Sequence, residues 1–187
     1  MDYINKLIQC LKSTQIYDCN GKSLDDYNYA IMKLVDLFLD IRKSEKRVFF
    51  IGNGGSAAIA SHMTADFMKN GRIKTYSLFD KSIATCMGND FGYEYIFSRP
   101  LELLASNGDL LVAISSSGNS LNIVNAIKVA QKKGLRIVTF SGFEKENKII
   151  SLGIYNVYVP VSHYGIVESI HNVILQQIVD VILENRE

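Results

Sequence analysis

A serine-rich turn near the middle of the chain has residue types that bind an anion. Four serines surround one glycine directly after an apolar run of strand length: Ser115, Ser116, Ser117, Ser120 and Gly118. A helical pattern follows, so the turn should lie beside the free N–H groups and the positive dipole end of a helix. With its hydroxyl donors, the turn predicts a phosphate-binding site. The same residues are also ordinary helix caps, which leaves that second interpretation open.

A glycine-rich turn earlier in the chain favours the phosphate interpretation. It follows the apolar run 48–51, contains Asn53, Gly54 and Ser56, and also precedes a predicted helix. The chain has neither the GxGxxG sequence of dinucleotide-binding folds nor a GxxxxGK[ST] P-loop. We therefore expect a small phosphorylated ligand and no nucleotide cofactor.

The elements that would carry these turns alternate between strand and helix. Five apolar runs predict strands at 48–51, 74–78, 110–114, 136–140 and 154–159. The intervening helices should begin near Ser56, Ser82, Phe97, Ser120 and Glu144, and a long last helix should span 163–185. This alternation predicts an α/β fold with a doubly wound, five-stranded parallel sheet that binds ligands at the carboxyl ends of its strands.

Two N-terminal helices, at 3–18 and 23–43, are expected before this core. Both contain more apolar residues than a single buried stripe requires, so one of them should pack on the sheet and on another subunit. The chain of 187 residues is long enough for one domain. We expect a single domain over 1–187, with 1–45 used for packing and oligomerisation and 46–187 as the α/β core.

The composition excludes several classes of partner. The net charge is +1, and no basic block is interleaved with aromatic residues, so neither nucleic acid nor a membrane surface is an expected partner. Three cysteines at unrelated spacings indicate no disulfide framework, and the N-terminus is unlike a signal peptide. The sequence therefore predicts a cytoplasmic protein with a small-molecule ligand.

Motifs along nearly the whole chain resemble the phosphoheptose isomerase branch of the sugar isomerase (SIS) domain family. In chain order, the matching positions are residues 52–56, His62, residues 88–92, residues 97–99, residues 114–120 and residues 170–171. The resemblance implies a flavodoxin-like fold, a homotetramer with active sites between subunits, and conversion of D-sedoheptulose 7-phosphate to a D-glycero-heptose 7-phosphate. It also implies that the serine turn holds the phosphate and that other positions contact the substrate: Asn53, Gly54, Ser56, Arg72, Asn89 and Asp90.

The chain departs from this family at the positions that carry chemistry. The family's metal histidine matches His62, but its catalytic glutamate falls on Asp66. Its last-helix glutamine falls on Glu168, and its catalytic histidine falls on Gln176. Members of the family often hold zinc. The resemblance therefore implies zinc or another divalent metal on one nitrogen and several oxygens from four residues: His62, Asp66, Glu168 and Gln176.

Helical spacing places the candidates of the last helix together. Glu168 and Gln176 are two steps of four apart, and His171 lies three residues after Glu168, so all three should share one polar side. Glu168 is then also a substrate contact, and His171 is an acid–base candidate. A polar face on a terminal helix is more commonly just solvated, and this alternative stays open.

Aldose–ketose isomerisation needs a base beside the carbonyl carbon and a group that polarises the oxygen. Asp66 keeps the carboxylate that such a base requires, although it is one methylene shorter than glutamate. Gln176 cannot transfer a proton near neutral pH but can donate a hydrogen bond. The sequence favours a phosphosugar isomerase with Asp66, His171 and Gln176 as catalytic residues. The alternative is a catalytically impaired phosphosugar-binding or protein-assembly module, similar to the replication-initiator-associated relatives.

Overall fold

A six-stranded sheet organises the fold in the computed structural model, which describes residues 2–184. The strands are β1 (Gln15–Asp18), β2 (Arg47–Gly52), β3 (Lys74–Ser77), β4 (Leu110–Ser115), β5 (Arg136–Gly142) and β6 (Tyr155–Val159). They are arranged in the order β1-β6-β5-β4-β2-β3. The helices are α1 (Tyr3–Lys12), α2 (Tyr27–Lys43), α3 (Gly55–Lys69), α4 (Lys81–Phe91), α5 (Ser98–Leu104), α6 (Leu121–Lys132) and α7 (Tyr164–Glu184), with a 3₁₀ turn at Tyr93–Tyr95.

The α/β fold and the five parallel strands are confirmed. Strands β2 to β6 pair in parallel throughout. Their side chains alternate between two cores: Phe50 faces α2, α3 and α7, whereas Phe49 faces α5 and α6. Helices thus cover both faces of the sheet, as its continuous apolar strands require.

The sheet has one strand more than expected, because the prediction of a single helix over 3–18 is wrong. Helix α1 ends at Lys12, and β1 then pairs antiparallel with β6. Ile16 and Tyr17 are both buried there. An isoleucine and a tyrosine suit a strand at a sheet edge as well as a short helix, so apolar spacing alone could not separate the two structures.

The prediction of a helix beginning near Glu144 is also wrong. The segment between β5 and β6 consists of turns. Asn147 is buried there, and its side-chain amide donates to the carbonyl of Glu144 and to Ser141 Oγ. Such side-chain bonds to nearby groups compete with the helical ladder, and here they replace it. The second N-terminal helix begins at Tyr27 rather than at residue 23, with Asp26 as its cap.

The long last helix is confirmed as α7, which packs on the sheet beside α2 and α3. By length and composition alone, α7 also passes as a candidate membrane span. Its buried side chains belong to the main core, however, as in the core helix of many soluble proteins. Helix α1 leaves Ile4 and Ile8 exposed, while its other apolar side is partly buried against the core. Packing against another subunit stays a prediction.

An ion pair between a buried carboxylate and a half-buried arginine fixes the amino ends of the central strands, at the edge opposite the predicted ligand site. Asp109 is 1% exposed, and its Oδ2 lies 3.0 Å from Arg47 Nη2. The same carboxylate accepts hydrogen bonds from the backbone N–H groups of Arg47 and Ser106, at 2.9 and 2.8 Å. One carboxylate thus joins the start of β2 to the turn that leads into β4.

Candidate functional site

A small cavity lies at the carboxyl ends of β2 and β4, where α3 and α6 begin. The chain leaves β2 towards β3 on one side and leaves β4 towards β5 on the other, which makes this the switch point of the sheet. The cavity has a volume of about 120 Å³. We call it the cradle, and nine residues line it: Asn53, Ser56, Ile114, Ser115, Ser116, Ser117, Ser120, Tyr164 and Glu168.

The start of α6 forms one half of the cradle. Ser120 occupies the cap position without making a side-chain capping bond, and its hydroxyl contacts that of Ser115 at 3.4 Å. Gly118 has φ +65°, and a Cβ at this position would lie 2.1 Å from Asn147 Oδ1. Only glycine both adopts this positive φ readily and leaves room for the Asn147 side chain. The serines of this turn line the cavity, and α6 begins directly after them, so its positive dipole end lies beside the cavity.

Ser116 supplies the clearest sign of a ligand. The residue is 4% exposed and lines the cradle, yet its Oγ has no hydrogen-bond partner within the described part of the chain. An unsatisfied buried hydroxyl costs about 1–3 kcal/mol, so native proteins rarely leave one unpaired. An oxyanion in the cradle would satisfy it.

The start of α3 forms the other half. Gly54 caps this helix with φ +55° and makes no side-chain capping bond. The Glu168 carboxylate lies so close to Gly55 that a Cβ there would be 2.3 Å from Glu168 Oε2. Gly52 is approached by the backbone carbonyl of Ser56, 2.4 Å from a Cβ position. Small residues thus let the last helix and the first turn of α3 meet at the cavity.

Glu168 introduces a negative charge into this otherwise anion-binding site. Burial raises the pKa of its carboxyl. Within residues 2–184 the carboxylate forms no ion pair. A phosphate dianion in the cradle would raise its pKa further, because like charges disfavour ionisation. Glu168 is therefore suited to carry a proton or to face a cation when the site is filled.

His62 and Asp66 form a pair on α3, outside the cradle. His62 Nε2 lies 3.3 Å from Asp66 Oδ2, and the two side chains are 58% and 22% exposed. Asp66 follows Ser56 by ten residues, which is about 15 Å along the helix axis. Neither residue lines the cavity of its own chain.

His171 does not share the polar side of α7, and its predicted position there is wrong. Its side chain is fully buried and packs edge-on against Phe140. Nε2 lies 3.0 Å from the carbonyl of Ser141, which can only accept, so Nε2 carries the hydrogen. Nδ1 has no partner among the described residues. Burial lowers the pKa of His171 to about 4, with the Ser141 contact opposing that shift.

This buried imidazole should make stability depend on pH. The folded-state pKa lies below the ordinary value of 6.5, so its neutral form stabilises the fold above pH 6.5, and this is lost as the pH falls towards 4. We expect the free energy of unfolding to fall by about 3 kcal/mol over that range. Urea denaturation of the wild type and His171→Gln at several pH values measures it. Parallel pH profiles for the two proteins would contradict the assignment.

The other predicted residues lie away from the cradle. Gln176 is on α7 and donates to Asp180 at 3.0 Å. Asn89 and Asp90 are exposed at the end of α4, where they contact each other. Arg72 is exposed beside the amino end of β3, at the opposite edge of the sheet. None of the four lines the cavity of the same chain.

The residues of one chain do not fit the predicted metal site. No group of three or more His, Cys, Asp or Glu side chains is close enough to hold an ion in the part of the chain that is described. Glu168 and Gln176 are eight residues apart on α7, about 12 Å along its axis. His62 and Asp66 are the only two of the four for which a mutual contact is observed in residues 2–184.

Three residues at the site were missed by the sequence analysis. Tyr164 lines the cavity from the start of α7. Asn122 is 2% exposed and exchanges hydrogen bonds with Asn53, and the Tyr93 hydroxyl donates to Asn53 Oδ1 at 3.0 Å. Asn122 lies two residues after Ser120, and its polar side chain between two apolar residues was an available signal. Nothing in the sequence marked Tyr93 or Tyr164.

Comparisons with known proteins agree with this geometry. Residues 20–142 match the family model of the SIS domain. The phosphoheptose isomerase of Campylobacter concisus is 47% identical over 111 residues, which span 55% of this chain and 58% of that protein. That of Aeromonas hydrophila is 34% identical over 176 residues, or 90% and 87% of the two chains. A solved phosphoheptose isomerase from Neisseria gonorrhoeae superposes with a TM-score of 0.82 at 25% identity, covering 96% of this chain and 94% of that one.

Proposed function

The chain belongs to the SIS domain family, in its phosphoheptose isomerase branch, and from this premise we propose that it interconverts D-sedoheptulose 7-phosphate and a D-glycero-heptose 7-phosphate. Relatives that align over most of their length carry the name phosphoheptose isomerase. The alternative of a binding module without turnover is not favoured, since these relatives are named as isomerases and Asp66 keeps the carboxylate that a base requires.

The buried, unpaired hydroxyl of Ser116 carries this proposal. It lies in a cavity that five serines line beside the starts of two helices, an arrangement that suits the phosphoryl oxygens of the substrate. At about 120 Å³ the cavity is well below the roughly 300–1,000 Å³ of clefts that enclose drug-sized ligands. It would hold the phosphate end, with the reacting carbons outside.

The reaction moves protons between neighbouring atoms of the sugar. A base takes a proton from C1, the C1–H electrons form the C1=C2 bond of an enediol, and the electrons of the C2=O2 bond move to O2, which takes a proton from water. The base then gives its proton to C2 as the C1=C2 electrons form the new C2–H bond, O1 returns a proton to water, and its O–H electrons form the C1=O1 bond of the aldehyde. We assign the base to Asp66, and His62 at 3.3 Å would orient its carboxylate.

A second copy of the chain is needed to bring this base to the cradle. From C1 to phosphorus, an extended heptose phosphate spans about 10 Å, given C–C bonds near 1.5 Å. Asp66 lies about 15 Å along α3 from Ser56 of its own cradle. We therefore propose a homo-oligomer, a tetramer by the resemblance, whose sites combine residues of different copies. Asn89, Asp90, Arg72 and Gln176 would reach a cradle in the same way.

A metal is proposed only for that assembly. Ligands from two copies could meet there, whereas those of one chain do not fit an ion. Zinc would polarise the substrate oxygens, but the proton transfers assigned to Asp66 do not depend on it. We also propose that the protein acts in the cytoplasm on a free sugar phosphate, without nucleic acid, membrane or nucleotide cofactor.

Proton NMR in heavy water tests the proposed activity. We expect D-sedoheptulose 7-phosphate to exchange its C1 proton for deuterium and to give aldose signals in the presence of the wild-type protein, with and without added zinc. Ser116→Ala, which removes the buried hydroxyl without adding bulk to the cavity, should raise KM by about tenfold or more. Absence of exchange in the wild type under both conditions would reject the isomerase.

A further inference from the structure

A pair of asparagine amides joins the two halves of the cradle. Asn53 Nδ2 donates to Asn122 Oδ1, and Asn122 Nδ2 donates to Asn53 Oδ1, both at 2.9 Å. Asn53 belongs to the turn after β2, whereas Asn122 lies in the first turn of α6 and is 2% exposed. The pair therefore holds the start of α6 against the turn that leads into α3.

The backbone determines how both amides are oriented. Asn122 Oδ1 also accepts from the backbone N–H of Ile123 at 2.9 Å. Because a backbone N–H can only donate, the atom of Asn122 that faces Ile123 must be the oxygen, and its NH₂ group is then the one that donates to Asn53 Oδ1. Asn53 Oδ1 accepts from Asn122 and from the Tyr93 hydroxyl, which occupies both of its lone pairs. One N–H of Asn53 Nδ2 is left for another partner.

We propose that Asn122 is a positioning residue for the sugar-phosphate site, holding Asn53 so that it offers the ligand a hydrogen-bond donor and no free acceptor. Asn53 lines the cradle and Asn122 does not, so Asn122 acts through Asn53. A donor at this point suits phosphate and hydroxyl oxygens, both of which accept. The inference rests on the proposed function only for the identity of the sugar.

A double-mutant cycle on ligand binding tests this role. The Kd of D-sedoheptulose 7-phosphate is measured by calorimetry for the wild type, Asn53→Ala, Asn122→Ala and the double variant. We expect Asn122→Ala to raise Kd by roughly tenfold, and to add nothing once Asn53 is alanine. An equal effect of Asn122→Ala in both backgrounds, or none in either, would overturn the proposal.

Binding rather than turnover is the readout, so failure of the proposed function can be recognised separately. If the sugar binds but its C1 proton does not exchange, the isomerase proposal is rejected, and the double-mutant cycle on Asn53 and Asn122 can still be interpreted. If the wild type does not bind the sugar, inorganic phosphate replaces it as the probe, and absence of binding to both overturns the positioning role.

Two further variants separate positioning from stability. Asn122→Leu nearly keeps the shape of the side chain but can neither donate to Asn53 nor accept from it, so it should weaken binding without adding a charge beside the phosphate. Asn156 is an equally buried asparagine on β6, bonded to Thr139 and Ser141 outside the cradle. Asn156→Ala should lower the melting temperature without changing Kd. Equal changes of Kd in Asn122→Leu and Asn156→Ala would indicate a merely structural role.

Discussion

Asp66→Asn should lower kcat by about 10²- to 10⁴-fold, the usual contribution of a general base. Asparagine has nearly the shape of aspartate and can still hydrogen-bond to His62, but its amide cannot accept the C1 proton. KM for the sugar phosphate should change little, because Asp66 does not line the cradle that would bind the phosphate. Steady-state kinetics, with deuterium exchange at C1 as an independent readout, measure both quantities.

A matched control shows whether charge alone matters. Asp36 is an exposed carboxylate on α2, and Asp36→Asn should leave kcat unchanged. Glu168→Gln tests the alternative assignment of the base, since Glu168 is the only carboxylate that lines the described cavity. If Asp66→Asn retained full turnover while Glu168→Gln lost it, the base would be Glu168. The proposed reaction would survive that result, and the assignment of Asp66 would not.

Asp109→Ala should lower the free energy of unfolding by about 2–4 kcal/mol, because it removes a buried carboxylate that accepts hydrogen bonds from two backbone N–H groups. Truncation leaves the Arg47 guanidinium without its counterion. It also leaves the backbone N–H groups of Arg47 and Ser106 without the carboxylate that accepts from them. Equilibrium denaturation in urea measures the loss.

A second aspartate–arginine pair provides the comparison. Asp40 pairs with Arg136, but its side chain is 55% exposed. Asp40→Ala should cost no more than about 1 kcal/mol, the usual upper range for a surface pair. A loss in Asp109→Ala no greater than that in Asp40→Ala would mean that burial does not set the strength of the Asp109 interaction.

The parts of the fold that depend on local pattern were predictable. The apolar runs of β2, β4 and β5 bury nearly every residue, so their sequence identifies them without any partner. Strand β1 has only Ile16 and Tyr17 buried, and it exists because β6 offers a free edge far along the chain. A short segment of sequence around β1 therefore cannot predict this strand, because its formation depends on β6 at the other end of the chain.

The residues of the candidate site likewise differ in whether the sequence could predict their positions. The cradle consists of two turns at adjacent strand ends, so Ser56, Ser116 and Ser120 could be placed together from topology alone. Glu168 was expected on a polar helix face, and it does reach the cavity. His171 was expected on that same face but lies in the core. Residues three apart on a helix are separated by about 60° around its axis, and here that angle turns the His171 side chain towards the sheet. Helical spacing gives relative angles but not the direction of the sheet.

The pairing of β1 with β6 also determines when the fold can be completed. Gln15 pairs with Tyr158 and Asp18 with Tyr155. Strand β1 is synthesised early, but it cannot pair until β6 has been synthesised near the end of the chain. Among strands β2 to β5, paired strands are either consecutive in the sequence or, for β2 and β4, separated by one other strand. These strands can therefore pair while the chain still emerges from the ribosome. Closing the longest loop is the entropically slow step. Until β6 is available, the N-terminal segment has no place in the sheet, and a nascent chain stopped before residue 155 would expose it to proteases and chaperones.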